Sequence, residues 1–179
     1  MLNQGKVILR LKKPEDASND YKWLKDPELA RLDAIKPLTI SFREYLTAYA
    51  SVLSHTSLKK RQFAIETRGG EHIGNCACYN INKIKGEAEV GIMIGNRRFW
   101  GQGYGSDAIT ALVDYIFRET DLDRLRLKTL DYNFRAQRCF DKCGFVACGR
   151  GESDSHSFIL LSLDRRRWLE QRQGLKHPV

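Results

Sequence analysis

Alternating hydrophobic and polar residues mark seven short segments of the chain as β-strands, because every second side chain of a strand shares one face. The predicted strands are Val7–Leu11, Gln62–Thr67, His72–Ile81, Ala88–Ile94, Arg124–Leu130, Phe145–Cys148 and Ser157–Leu163. Turn residues around Gly69-Gly70 and between Asn82 and Gly86 separate the second, third and fourth of these strands. We therefore expect three consecutive antiparallel strands in the middle of the chain.

A second pattern, with hydrophobic residues three or four positions apart, predicts helices in the remaining segments. They are Pro14–Lys25, a short helix after Asp26, a helix from Ser41 to about Ser54, Gly103–Glu119 and Arg135–Cys143. Ser41 and Glu44 form a capping-box pattern, and Gly144 is placed to end the last helix. This order predicts a single α/β domain over residues 1–179. Its mixed, mostly antiparallel twisted sheet would have about six to seven strands flanked by helices.

The composition is that of an ordinary globular protein, with 42% hydrophobic and 29% charged residues, which argues against a disordered chain. No apolar stretch approaches the roughly 20 residues of a membrane helix. The first residues lack the uninterrupted apolar stretch of a signal peptide. A cytoplasmic protein without membrane contact is therefore expected.

The net charge of +8 favours an anionic ligand or nucleic acid, although a solvated basic surface gives the same value. Much of the excess lies in the C-terminal segment that begins at Arg165. No zinc-finger spacing or RNA-binding aromatic motif accompanies the basic residues, so nucleic acid is not expected as the main partner.

The five cysteines, Cys76, Cys78, Cys139, Cys143 and Cys148, are odd in number and lack zinc-site spacing. Small buried thiols in a reducing compartment are the simpler interpretation, and no metal is expected.

Three glycines, Gly101, Gly103 and Gly105, stand at alternate positions where the fourth predicted helix begins. The first turn of a helix leaves backbone N–H groups unpaired, and the helix dipole makes that end positive. Glycine lets an anion approach this backbone closely, so the segment predicts a phosphate site. The dinucleotide pattern G-x-G-x-x-G and the Walker pattern both fail here, which leaves a tight helix connection as the alternative.

The segment resembles the signature Arg/Gln-x-x-Gly-x-Gly/Ala of the GNAT family of N-acetyltransferases, with Trp100, Gly103 and Gly105 in its slots. Trp100 departs from the first slot, but "WGQGYGSDA" is similar to the branch that acetylates ribosomal-protein N-termini. A second block, "NFRAQRCFDKCGF", resembles the family's second motif. The agreeing positions are Asn133, Ala136, Phe140, Asp141, Lys142, Gly144 and Phe145.

The resemblance implies acetyl-coenzyme A as cosubstrate. Backbone groups of Gln102, Gly103, Tyr104, Gly105 and Ser106 would hold its pyrophosphate. The strand residues Ile92, Met93 and Ile94 and the side chain of Asn133 would contact its pantetheine arm, although Asn133 also suits a helix N-cap. Candidate phosphate contacts are Arg97, Arg98, Arg138 and Lys142.

The reaction that the resemblance implies is transfer of acetyl to a primary amine, which attacks only when neutral. Glu89 is the candidate general base, with Glu87 as the alternative carboxylate and a solvent-facing strand residue as the simpler interpretation of Glu89. The family's proton-donating Tyr corresponds to Phe140, which cannot donate a proton. The chain therefore lacks a general acid at that position.

The acceptor is expected to be a protein N-terminus, a polyamine or another small amine, bound by segments Leu29–Thr56 and Gly149–Ser157. Two alternatives remain from other classes. One is an acetyl-CoA-binding module without turnover, and the other is a ribosome- or RNA-associated protein. A homodimer is expected only from general experience with such folds.

Overall fold

A computed structural model describes residues 1–54 and 60–174. His55 and Thr56 of the expected acceptor segment lie outside this range, as do the last five residues of the basic C-terminal segment. None of the helices in residues 1–54 and 60–174 combines the length and apolar character needed to cross a lipid bilayer.

The described strands form one eight-stranded sheet with the order β1-β2-β3-β4-β5-β6-β8-β7. They are β1 Leu2–Gln4, β2 Val7–Leu11, β3 Arg61–Thr67, β4 His72–Asn82, β5 Glu87–Ile94, β6 Arg124–Leu130, β7 Val146–Ser153 and β8 His156–Asp164. Adjacent strands are antiparallel except β5 and β6, which are parallel. The mostly antiparallel mixed sheet is confirmed, but the expected six to seven strands were one too few because β1 was not predicted.

The helices are α1 Ala17–Lys25, α2 Pro27–Leu32, α3 Phe42–Ser54, α4 Tyr104–Glu119, α5 Phe134–Lys142 and α6 Arg165–Gly174. The segment Pro14–Asp16, predicted as α-helix, is a separate 3₁₀ turn. α6 was not predicted, because its sequence is polar on nearly every side. It is held by Trp168, whose Nε1 donates to Asp114 of α4 over 2.7 Å.

The hydrophobic core lies between α4 and one face of the sheet. Ala108, Ile109 and Leu112 of α4 are fully buried there, together with Leu9 of β2 and Leu125 of β6. Side chains alternate along a strand, so the residues next to these core residues face the other side of the sheet. On that face Lys12, the residue after β2, and Asn75 of β4 both bind Asp20 of α1.

The functional opening arises where the two parallel strands part. β5 and β6 are paired only from Glu87 to Glu89 and from Arg124 to Arg126. Beyond these positions β5 continues to Ile94 and β6 to Leu130 without pairing to each other. The backbone of β5 facing the gap is therefore free to pair with a bound molecule. The first turn of α4 and one face of α5 border this gap.

Candidate active site

A cleft of about 290 Å³ occupies the gap between the parted strands. Its walls come from Ile92–Ile94 of β5, from the glycine segment that leads into α4, from α5, and from the end of α2. Segments far apart in sequence thus meet at one concave site, which is the usual place for a small-molecule ligand.

The glycine segment adopts the backbone that the sequence predicted for an anion cradle. Gly101 and Gly103 have φ of +72° and +89°, in the left-handed region that favours glycine. A Cβ at either position would meet nothing within 4 Å, so the requirement for glycine is conformational. Gly103 is the N-cap of α4 and has no side chain to accept from the first-turn amides. Those amides of Tyr104, Gly105 and Ser106 remain suited to a ligand anion.

Trp100, the departure from the family signature, brings a guanidinium to the cleft wall. Its Nε1 donates to the carbonyl oxygen of Ile94 over 2.6 Å, which fixes the indole against β5. Cζ of Arg135, in the first turn of α5, lies 3.3 Å from the centroid of the Trp100 ring. Burial lowers the pKa of Arg135, although a guanidinium stays charged at any physiological pH. The cation absent from the signature slot is therefore supplied by α5.

Arg135 was not predicted as a site residue, although its spacing from Arg138 and Lys142 could have indicated it. Arg135, Arg138 and Lys142 are three and four residues apart, so they share one face of α5. All three line the cleft and make this wall basic.

Arg97 and Arg98, the predicted phosphate contacts, each pair with carboxylates in this structure. Arg97 pairs with Asp26 at 2.5 Å and with Glu28 at 3.2 Å, both from α2 and its N-cap. Arg98 pairs with Glu71 at 2.8 Å. Neither arginine is among the residues that line the cleft, and their contacts to phosphate stay a prediction.

The other predicted cofactor residues divide into two groups. Ile92, Met93, Ile94, Gly103, Gly105, Ser106 and Asn133 all line the cleft. Asn133 is also the N-cap of α5, since its Oδ1 accepts from the amide of Ala136 over 3.3 Å. The side chains of Gln102 and Tyr104 point elsewhere: Gln102 donates to the Arg98 carbonyl, and the Tyr104 ring packs on Phe99. Only backbone contacts were predicted for these two residues.

The wall formed by α2 is apolar and acidic, in contrast to the basic wall of α5. It consists of Leu29, Leu32 and Asp33. The Asp33 side chain is open to solvent on one side, and the surrounding protein raises the pKa of its carboxyl by desolvation. Asp33 follows directly after α2 and belongs to no sequence motif, so it was not among the predicted site residues.

Tyr79 of β4 is paired with the predicted base Glu89 of β5 across the sheet. A Cβ at Gly91 would lie 3.4 Å from Cε1 of Tyr79, so the ring covers β5 where glycine leaves room. Desolvation raises the pKa of the Tyr79 hydroxyl, and the negative charges of Glu89 and Asp33 raise it further. Glu89 itself accepts from Asn80 Nδ2 over 3.0 Å and does not line the cleft.

Phe140 occupies the slot of the family's tyrosine and is 5% exposed. Its ring packs on Phe145, with 6.2 Å between the centroids. The cleft wall at this position is therefore apolar and donates no proton.

Residues 6–146 match the family model of the acetyltransferase (GNAT) domain. The chain belongs to the GNAT family. It is an acyltransferase, and its cosubstrate is acetyl-coenzyme A. The uncharacterized N-acetyltransferase p20 of Bacillus licheniformis is 29% identical over 141 residues, which cover 78% of this chain and 79% of that protein.

Two solved structures share the fold of this GNAT protein at low sequence identity. The spermidine N-acetyltransferase of Vibrio cholerae, in complex with CoA and spermine, has a TM-score of 0.80 at 21% identity. The match covers 92% of this chain and 98% of that one. An aminoglycoside acetyltransferase in complex with coenzyme A has a TM-score of 0.76 at 21% identity, covering 93% and 99% of the two chains.

The residues of the cleft fit acetyl-coenzyme A by their chemistry. First-turn amides and the basic face of α5 suit phosphates, and the unpaired edge of β5 suits the amide groups of pantetheine. The apolar surface of Met93 and Phe140 suits the uncharged end of the molecule. Bound there, the cosubstrate supplies an activated acetyl thioester.

Proposed function

We propose that the protein transfers acetyl from acetyl-CoA directly to a primary amine, with both substrates bound at once. The observation that carries this proposal is the opposite polarity of two walls of one cleft. The α4 and α5 walls offer amides and cations to an anion, and the α2 wall offers Asp33 to a cationic amine. Bringing two reactants together in this way supplies much of the rate of such a reaction.

On the cosubstrate side, the backbone amides of Tyr104, Gly105 and Ser106 in the first turn of α4 hold the pyrophosphate. The guanidinium of Arg135, kept in place by Trp100, adds charge-assisted hydrogen bonds to the phosphates. Asn133 and the free edge of β5 orient the pantetheine arm so that its acetyl end lies beside Met93.

On the acceptor side, Asp33 binds the amine and takes up its proton. A carboxylate whose pKa is raised towards neutrality is a better match for this transfer than an ordinary one. Glu89, the base suggested by sequence, acts behind Tyr79 and adds negative potential for a cationic acceptor. Phe140 leaves the departing thiolate without a protonating side chain, and a thiolate is a good enough leaving group to depart unaided.

The acceptor is a protein N-terminus, a polyamine or another small amine. The "WGQGY" resemblance favours a ribosomal-protein N-terminus. One related structure holds spermine, which favours a polyamine. Acidic Asp33 and Glu89 attract either kind of cation, so an acceptor screen is required to choose between them.

The decisive experiment incubates the protein with acetyl-CoA and separate pools of peptides, polyamines and aminoglycosides. Free CoA is measured by chromatography, because exposed Cys148 would react with a thiol dye. Amine-dependent CoA release with acetylated acceptor supports the proposal. Tight acetyl-CoA binding without release in every pool contradicts it and favours the module without turnover, which Phe140 also suggests.

We expect the substitution Arg135→Gln to weaken acetyl-CoA binding about tenfold, which is about 1.4 kcal/mol. The substitution removes a guanidinium from the cleft wall but keeps a shorter polar side chain with the same first three carbons. The matched control is Arg98→Gln, which removes an arginine paired to Glu71 outside the cleft. Calorimetric titration of both variants checks the prediction, and equal affinities in the two would contradict the assignment of Arg135.

A further inference from the structure

Two thiols on α5 meet at the wall of the cleft. Cys139 lines the cleft, and Cys143 follows one helical turn later. Both contact Ser106 in the first turn of α4: its hydroxyl donates to Cys139 Sγ over 3.5 Å, and Cys143 Sγ donates to its carbonyl oxygen over 3.5 Å. Gly105 leaves the space for this arrangement, since a Cβ there would lie 3.4 Å from Cys139 Sγ.

The surroundings of Cys139 favour its thiolate. The neighbouring Cys143 thiol is the largest influence, and the Ser106 hydroxyl and the charge of Lys142 add to it, so the pKa of Cys139 is lowered. The adjacent N-terminus of α4 contributes in the same direction. The neighbouring Cys139 raises the pKa of the Cys143 thiol, which therefore keeps the proton that it donates to the Ser106 carbonyl.

The other cysteines differ in access. Cys76 and Cys78 are buried in β4, and burial raises the pKa of both thiols. Cys148 is exposed on β7, away from the cleft, and its Sγ contacts the Leu160 carbonyl. Cys139 therefore combines access from the cleft with a stabilised thiolate.

We propose that Cys139 is a site of reversible modification by small disulfides such as oxidised glutathione, and that the adduct and acetyl-CoA exclude each other from the cleft. The second half of this inference rests on the proposed function, because it needs acetyl-CoA in the cleft. A glutathione group on Cys139 projects beside Gly105 and Ser106, where the pyrophosphate is held.

The reaction is a thiol–disulfide exchange. The Cys139 thiolate attacks one sulfur of oxidised glutathione, the sulfur–sulfur bond of glutathione breaks, and a new bond joins Cys139 to one half. The other half leaves as a thiolate and takes a proton from water. Cys139 is oxidised and the departing half is reduced, so no further reactant is required.

The first test measures the rate of glutathione addition at each cysteine by mass spectrometry across pH. We expect addition to Cys139 with a midpoint below the pH of about 8.5 that an ordinary thiol shows. Ser106→Ala, which removes the hydroxyl that donates to Cys139, moves the midpoint to higher pH, and Ser106→Thr, which keeps a hydroxyl, moves it less. Exposed Cys148 serves as the internal control. Absence of the Cys139 adduct, or a midpoint unchanged by Ser106→Ala, overturns the reactive thiol.

The second test adds acetyl-CoA at a concentration that calorimetry shows to be saturating. Protection of Cys139, with Cys148 still reacting, supports mutual exclusion. Full reaction of Cys139 in the saturated protein overturns it. If calorimetry detects no acetyl-CoA binding, the proposed function fails, and the first test still decides whether Cys139 is the reactive thiol.

Discussion

Replacing Gly105 by glutamate is expected to abolish acetyl-CoA binding and to leave the fold intact. A Cβ at this position makes ordinary contacts, 3.4 Å from Cys139 Sγ and 3.9 Å from Ile94 Cγ1, and the backbone φ is not in the left-handed region. The added carboxylate enters the anion cradle and repels the pyrophosphate. Thermal unfolding with and without cosubstrate measures the result.

The wild-type protein is expected to gain about 2.7 kcal/mol of unfolding free energy at a hundredfold excess of acetyl-CoA over Kd. For a chain of this size, the gain raises Tm by about 5 to 10 °C. Gly105→Glu should show no rise. Gly69→Glu, which adds the same charge at the β3–β4 turn, is the matched control and should behave as wild type. An undiminished rise in Gly105→Glu would remove the anion cradle from the proposal.

The sequence predicted with most ease the strands whose alternation extends over five or more residues. β2 and β6 have this property, with one face in the core and the other in contact with solvent or polar groups. β1 has three residues and no readable period, and it is a strand only because Leu2, Asn3 and Gln4 pair with β2. α6 was not predicted for a similar reason, since it is attached through Trp168 and its partner Asp114 rather than through an apolar stripe.

The backbone part of the candidate site was predictable, because positive φ at Gly101 and Gly103 is a local property of the chain. The side-chain part was not. From the sequence, Arg97 was as suitable a phosphate contact as Arg138. The structure places Asp26, which is distant in sequence, beside Arg97. Arg135 gains its place through stacking on Trp100, which only the packing of α5 against the loop creates.

Asp33 lines the cleft although no sequence motif indicated it. Its environment depends on α2 folding over the gap between β5 and β6, so its raised pKa is a tertiary property. Glu89 stood out in the sequence because it lies on the strand that leads to the glycine segment. In the structure its carboxylate binds Asn80 instead of lining the cleft. The position of Glu89 on β5 therefore indicated the region of the site, but it could not show which carboxylate lines the cleft.

Asp33→Asn is expected to lower kcat about 100-fold, the usual cost of losing a general base. The substitution keeps the size and hydrogen-bonding shape of the side chain but removes its ability to take a proton. In the wild-type protein the rate falls as pH falls through the raised pKa of Asp33, because protonation removes the base. The variant should lose this acid limb as well as the rate, and kcat/KM measured across pH with the identified amine checks both.

Glu89→Gln provides the comparison within the same site. Since Glu89 acts from behind Tyr79, its neutralisation should raise KM for a cationic amine and change kcat less than Asp33→Asn does. The acid limb should persist in Glu89→Gln, because Asp33 is still present to titrate. If Glu89→Gln instead removed the limb and Asp33→Asn kept it, the base would be Glu89, and Asp33 would be left with binding the acceptor cation.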